Sequence, residues 1–315
     1  MKIALDPTPF HRTHGVLDFP RLAAELGYEY LQLTPHPDVL PFFTHPKADD
    51  ALVADLRKAC AEASVEIASV LPVLRWSSPD ENLRQAAVGY WKRAVQIAVD
   101  LGVTQLNTEF GGRPEQPEES EAAFYRSMEE LVPLFEREGV HVAIDPHPDD
   151  FVEEGIAAWR VIRGVNSPNL GMVYVAAHTF HMVDPPADII AAAGERLRVV
   201  HIADTMNHTA SSGLRYITNP PGNSVRVHQH LKIGDGDVDW PELFGALAGN
   251  GFLDRPETVM VSSVFAENEN AADVSRYQLA AMKDLAGGYG GGHGGGHAGG
   301  HGGRHGGDRE GTEEP

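Results

Sequence analysis

Eight short runs rich in Val, Ile and Leu alternate with eight longer amphipathic segments, several of those segments stop at a glycine just before the next run, and no glycine-rich dinucleotide turn follows the first run. Together these observations predict the α/β class and, within it, a single-domain (β/α)8 TIM barrel. Parallel strands need a crossover, usually a helix, between them, and about 250 residues is the usual size of such a barrel. An open doubly wound sheet gives the same alternation, but its first strand typically leads into GxGxxG. Here Lys2–Leu5 leads into Asp6-Pro7-Thr8-Pro9.

The elements follow in order. Residues 2–5 form the first strand, and the pattern at 17–26 is a helix closed by Leu26-Gly27. The run 28–33 is the second strand, 48–64 its helix, and 67–71 the third strand. A long amphipathic stretch at 80–101 stops at Leu101-Gly102 before the run 105–109, and 118–138 stops at Glu138-Gly139 before 140–145. The remaining pairs are 154–164 with 172–176, 186–195 with 199–203, and 240–250, ended by Asn250-Gly251, with 259–264; a last helix covers 269–286. Glycine at these stops supplies the left-handed C-cap that ends a helix and feeds a strand.

Two segments depart from this rhythm. The connection at 205–239 is far longer than the few residues expected between strand and helix. It contains Asn219-Pro220-Pro221-Gly222-Asn223, Arg226-Val227-His228-Gln229-His230 and Gly234-Asp235-Gly236-Asp237, the composition of an active-site lid or partner-binding insertion. The boundary between barrel (1–286) and tail (287–315) is set by composition. The tail is Gly/His-rich, with His293, His297, His301 and His305 at every fourth position; that much glycine cannot pack a core, so disorder is expected. A solvated tail, or one that weakly chelates metal, fits it.

The bulk charge narrows the partners. Among 315 residues, 25 Lys and Arg stand against 45 Asp and Glu, a formal net charge of −20, which argues against nucleic acid and against an acidic membrane surface. A small neutral or cationic ligand fits better. The lone cysteine, Cys60, excludes an intramolecular disulfide and a cysteine metal cluster. No apolar run approaches the ~18 residues of a membrane span, and the start has no secretory pattern. A cytoplasmic protein is the expectation.

Side chains at the C-terminal ends of barrel strands converge on one mouth, which gives a filter for chemistry. Strand 4 ends in Asn107-Thr108-Glu109-Phe110, followed by Gly111-Gly112-Arg113; strand 5 in Asp145-Pro146-His147-Pro148; strand 6 in His178-Thr179-Phe180-His181; strand 7 in His201-Ile202-Ala203-Asp204. Four consecutive strands thus deliver a carboxylate or imidazole to one rim. Mixed oxygen and nitrogen donors suit Mn²⁺, Zn²⁺, Fe²⁺, Co²⁺ or Ni²⁺ better than Ca²⁺. Each residue alone is equally readable as a hydrogen-bonded structural group.

The segments LPVLRWSSPDENLRQAAVGYWKRAVQIAVDLGV, NTEFGGRPE, AIDPHPDDF, AHTFHM, VVHIADT and RVHQHLKIGDGDVDW resemble the xylose-isomerase-like barrels, the sugar phosphate isomerase/epimerase superfamily, over residues 1 to about 286. Within that group they look like the α subunits of bacterial C-glycoside deglycosidases. The resemblance implies one divalent metal, commonly Mn²⁺, held by a carboxylate of strand 5, a residue of strand 6, a histidine of strand 7 and a carboxylate of strand 8. These fall on Asp145, His178 and His201; relatives usually carry Glu at the first position, and the group's epimerases carry Asp at the second. On strand 8 serines, Ser262 and Ser263, replace the carboxylate. Glu267, just beyond, could swing in, or waters could complete a site of three protein ligands.

The same resemblance implies His147 as catalytic base. Strand alternation returns it to the side of Asp145, and a neutral imidazole can take a carbon-bound proton; the alternative is an orienting partner of Asp145. Glu109, Arg113, His181, Asp204, His228 and His230 are the candidates for substrate contact, with His181 and Asp204 also readable as orienters and His228 and His230 as solvated loop residues. The implied chemistry is proton removal beside a carbonyl through an enediolate, with three outcomes: epimerisation, isomerisation or elimination. A deglycosidase eliminates the aglycone of a 3-oxo-C-glycoside and works with a small β subunit, so a homo- or hetero-oligomer is implied. The rivals are a ketose 3-epimerase or inosose dehydratase on the same barrel, and a non-catalytic barrel that binds sugar or metal without turnover.

Overall fold

A computed structural model describes residues 1–180, 182–206, 229–265 and 270–289. Eight parallel strands, β1 (Lys2–Leu5), β2 (Tyr30–Leu33), β3 (Glu66–Val70), β4 (Gln105–Glu109), β5 (His141–Asp145), β6 (Leu170–Val175), β7 (Leu197–Ile202) and β8 (Val259–Ser262), close into a barrel in sequence order. The helices between and after them are α1 (Phe19–Glu25), α2 (Asp50–Ala63), α3 (Glu81–Asp100), α4 (Pro117–Glu138), α5 (Gly155–Gly164), α6 (Ala176–Thr179), α7 (Pro186–Ala193), α8 (Trp240–Gly249) and α9 (Ala271–Tyr289). The chain therefore folds as the (β/α)8 barrel that its alternation predicts. Among the described residues no helix is long and apolar enough to cross a membrane.

Local chemistry explains the element ends. The carboxylates of Asp49, Asp80 and Asp239 accept backbone N–H bonds from the first turns of α2, α3 and α8, satisfying donors that have no partner inside the helix. Gly27, Gly102, Gly139 and Gly251 all take positive φ, the conformation expected of them as stops.

Two cores result from the alternation of the strands. Outward side chains such as Leu5, Leu31, Val70, Leu106, Ile144, Tyr174 and Val200 pack against the helices. Inward ones, Ala4, Ala68, Ala143, Val173, Val175, Val199, Val259 and Val261 with Tyr30 beside them, fill the barrel. The inward set is mostly Ala and Val, small enough to leave space above it. Period-two alternation continues that inward face upward to Asp6, Thr34, Asn107, Asp145 and His201 at the mouth.

Three local departures matter. Strand β6 ends at Val175 and the chain turns at once into α6, so His178 rises on a helical turn above the strand rather than standing at its end. Strand β8 stops at Ser262, two residues before the expected 264. The last helix runs past 286 to Tyr289, whose hydroxyl donates to Pro241 O at 2.9 Å. The last helix thus carries Gly287 and Gly288 and ends three residues beyond the expected 286. The tail from 290 on lies outside the described residues.

Candidate active site

A cavity of about 280 Å³ opens at the C-terminal ends of the strands, lined by Asp6, Thr8, Thr34, Asn107, Glu109, Asp145, His147, His178, His201 and His230, among others. Phe42 and Phe265 form part of its wall and are 57% and 42% exposed. Each polar group arrives on its own element: Glu109 ends β4 opposite Asp145 of β5 in register, and His201 lies on β7 beside Val261 of β8. His230 is carried in by the end of the long connection, where Asp204 and Leu231 exchange backbone hydrogen bonds of 2.7 and 2.8 Å.

Asp145 and His178 are joined directly. The imidazole Nδ1 donates to Asp145 Oδ2 at 2.8 Å, and His178 Nε2 lies 3.2 Å from His230 Nε2. His230 Nδ1 is 2.7 Å from Ser263 O; a carbonyl only accepts, so Nδ1 carries the hydrogen and Nε2 keeps its lone pair. Phe265 stacks on the His230 ring at 4.3 Å. His201 Nε2 is 3.2 Å from Asn107 Nδ2, which donates to it.

The same reasoning fixes His147. Its Nδ1 is 2.7 Å from Pro148 O and must carry the hydrogen, so the basic nitrogen is Nε2, 3.7 Å from Glu109 Oε1. The side chain is a quarter exposed and its ring sits edge-on to His178 at 4.7 Å.

Burial dominates the electrostatics. It pushes the Asp145 carboxyl well above the ordinary carboxylate range; His147 pulls it back, while neighbouring Glu109 and Asp150 push the same way as burial. Burial also pulls the His201 imidazole down to about 3, helped by His230, and His230 itself down to about 4, so both are neutral near pH 7. His147 is the exception: burial opposes its charge, but Glu109, Asp145, the Pro148 carbonyl and Asp150 together raise it above the usual histidine value. A neutral His147 is therefore a stronger base than a histidine in water.

Whether the donors suit a divalent ion follows from their spacing. Among the described residues no group of three or more His, Cys, Asp or Glu side chains stands gathered as a finished coordination set; the donors stand in pairs. Yet Asp145 Oδ1 is buried with no hydrogen-bond partner, and the 3.2 Å between His178 and His230 Nε2 is close to that of two nitrogens each about 2.0–2.1 Å from one ion. The residues fit a cation drawn between Asp145, His178 and His230, with His201 near enough to share the same cavity wall.

Two expectations need correcting. Of its two readings, Asp204 matches the orienter rather than the substrate contact: it is buried, Oδ1 accepts from Thr205 N and Val238 N at 2.9 and 3.2 Å, and Oδ2 accepts from Gly234 N and Trp240 Nε1 at 2.8 and 3.1 Å. All its acceptor capacity goes into pinning the end of the long connection. Arg113 is exposed and does not line the cavity; its backbone N donates to Ser120 Oγ. Glu109, Asp145, His147, His178, His201 and His230 do line one cavity, whereas His181, His228 and Glu267 lie outside the described residues. Asp6, Thr34 and Asn107 line the cavity as well; the first two directly follow strands 1 and 2, where convergence of strand ends on the mouth marks them, and Asn107 stands at the strand 4 end beside Glu109.

The profile of the xylose isomerase-like TIM barrel family matches residues 20–285. An inosose isomerase of Bacillus velezensis is 23% identical over 239 residues, covering 71% of this chain and 81% of that protein. Among solved structures, the IolI protein with a binding zinc atom aligns at a TM-score of 0.68 with 19% identity, over 92% of this chain and 99% of the other. The 3-keto-D-glucoside 4-epimerase YcjR of E. coli aligns at 0.66 with 17% identity, over 90% and 99%. At these identities the structural likenesses speak for the fold, while the profile covers most of the sequence. The chain belongs to the xylose isomerase-like TIM barrel family.

Proposed function

We propose that this isomerase/epimerase-like enzyme removes a proton beside a carbonyl of a sugar-like substrate, and that its particular reaction is elimination from a 3-oxo-C-glycoside, as in a C-glycoside deglycosidase α subunit. The observation that carries the proton-transfer reading is His147, with Nδ1 held by the Pro148 carbonyl and Nε2 directed toward Glu109 beside the Asp145–His178 pair. The elimination outcome is supported by the sequence phrases that resemble those subunits.

Asp145, His178 and His230 would hold a divalent cation, Mn²⁺ by family resemblance and Zn²⁺ by the likeness to the zinc-containing barrel, with His201 joining them once its Nε2 is released from Asn107. Such an ion, when bound, supplies positive charge to the carbonyl and neighbouring hydroxyl oxygens of the substrate as negative charge develops there. His147 Nε2 takes the carbon-bound proton. Glu109, 3.7 Å away, stabilises the imidazolium that results. Phe42 and Phe265 cover the substrate's apolar faces and limit water.

Incubating the protein with a 3-oxo-C-glucoside and Mn²⁺, with and without a small β subunit, tests this reading. Aglycone release supports it, and substrate unchanged in both mixtures refutes it. A second reading, epimerisation or isomerisation without cleavage, is favoured by the inosose isomerase relative; deuterium wash-in beside the carbonyl of intact product would select it.

A further inference from the structure

The proton-transfer reading assigns work to β5 and its neighbours and leaves one buried carboxyl of the cavity unused. Asp6 follows β1, is 3% exposed and lines the same cavity as His147. In a closed barrel of eight strands in sequence order, β1 and β5 are four strands apart in either direction, so Asp6 and His147 stand on opposite sides of whatever fills the mouth. Asp6 also adjoins the strand from which the carboxylate is missing: Leu5 pairs with Ser262 in register, and Asp6 N donates to Ser262 O at 3.1 Å.

Asp6 is connected outward. Thr8 N donates to its Oδ1 at 2.8 Å, the Thr8 side chain also hydrogen-bonds the carboxyl, Thr8 Oγ1 lies 3.4 Å from Thr34 Oγ1, and Thr34 Oγ1 lies 3.3 Å from His11 Nε2. His11 is half-exposed and lines a neighbouring recess that shares Pro35 and Phe42 with the cavity. Two hydroxyls, each able to accept and donate, thus join a buried carboxyl to an imidazole at the surface.

The geometry points to Asp6 as the second acid–base residue of the reaction, delivering a proton on the side of the substrate away from His147, with Thr8, Thr34 and His11 as its path to solvent. This rests on the proton-transfer reading above. In the elimination, His147 Nε2 takes the C2 proton and the C–H pair forms the enediolate. As that collapses, the C1–aglycone bond breaks, and its electron pair leaves with the aglycone carbon, which takes the Asp6 proton. Asp6, now a carboxylate, is reprotonated through Thr8, Thr34 and His11, and His147 returns its proton to solvent, so no other reactant is needed. Burial raises the Asp6 carboxyl to about 6, a value suited to a proton donor near neutral pH.

The test follows a 3-oxo-C-glucoside with Mn²⁺ and β subunit in D2O, reading deuterium at C2 and aglycone release separately, for the wild type, Asp6→Asn, Asp6→Glu, Thr34→Val and His147→Gln. Asp6→Asn keeps an oxygen for the Thr8 N–H. It is expected to retain C2 exchange within about threefold while release falls about 100-fold, the usual scale for one acid–base group. Asp6→Glu should recover part of that loss, Thr34→Val should slow release several-fold with unchanged KM, and His147→Gln should lose both readouts. Release by Asp6→Asn within twofold of wild type, or exchange and release lost together, would overturn the assignment. If the wild type exchanges without cleaving, the deglycosidase reading fails while Asp6 is still judged by the inverted epimer, formed by wild type and lost in Asp6→Asn. A wild type that does not exchange at all overturns both.

Discussion

Replacing Asp204 by Asn tests whether this carboxylate builds the site or binds the substrate. It accepts four hydrogen bonds, from Thr205 N, Val238 N, Gly234 N and Trp240 Nε1. An amide has one acceptor oxygen, so in either orientation about two of those donors face an NH2 group. A buried donor left unsatisfied costs about 1–3 kcal/mol, which puts the loss at about 2–6 kcal/mol, a large share of the ~5–15 kcal/mol that holds a typical domain. The damage is directional as well. Gly234 and Val238 belong to the end of the long connection and Trp240 opens α8 directly after it, and the pairing of Leu231 with Asp204 sets the position of His230, one residue earlier. Urea unfolding followed by tryptophan fluorescence should show the midpoint falling, with lost turnover following lost fold. A variant within about 1 kcal/mol of wild type whose KM has risen tenfold would refute the reasoning and return Asp204 to substrate binding.

Three further outcomes are expected. Burial holds the folded-state Asp6 carboxyl at about 6 against 3.8, so between those values the folded state binds more protons than the unfolded one, and the contribution of this group to stability falls as pH rises through that window. About two pH units correspond to about 3 kcal/mol; Asp6→Asn should therefore be up to that much more stable than wild type at pH 8 and nearly equal near pH 4, and a variant less stable at pH 8 contradicts the burial argument. Gly171→Ala should lower stability by about 1–3 kcal/mol, because the new Cβ meets the backbone carbonyl of Arg196; an unchanged melting temperature would show that β6 can yield there. Truncation after Tyr289 should leave stability unchanged and one ion bound per chain by elemental analysis, while truncation after Ala286 loses the Tyr289–Pro241 bond and melts lower; an ion bound only by the full-length chain would count against the cavity as the metal site.

Much of the site was legible because a barrel converts sequence position into place. Asp145, His147, Glu109, His178 and His201 could be marked from strand ends alone, and they line one cavity. What could not be read is how each group is used. Asp204 satisfies the same strand-end rule as Asp145, yet its oxygens are taken by backbone N–H groups thirty or more residues downstream; nothing local to Ala203-Asp204 foretells those donors. His178 belongs to a helical turn rather than a strand because the chain bends at Val175, a boundary finer than periodicity resolves.

The amino-acid order by itself determined the eight strands, the long helices between them and the glycine stops, since each depends on spacing and chemistry within a dozen neighbouring residues. Only the tertiary structure decided that Asp6 stands across the mouth from His147, beside the serines of β8, because closure of the barrel makes neighbours of the first and last strands and opposites of the first and fifth. That relation is geometric and leaves no trace in local pattern.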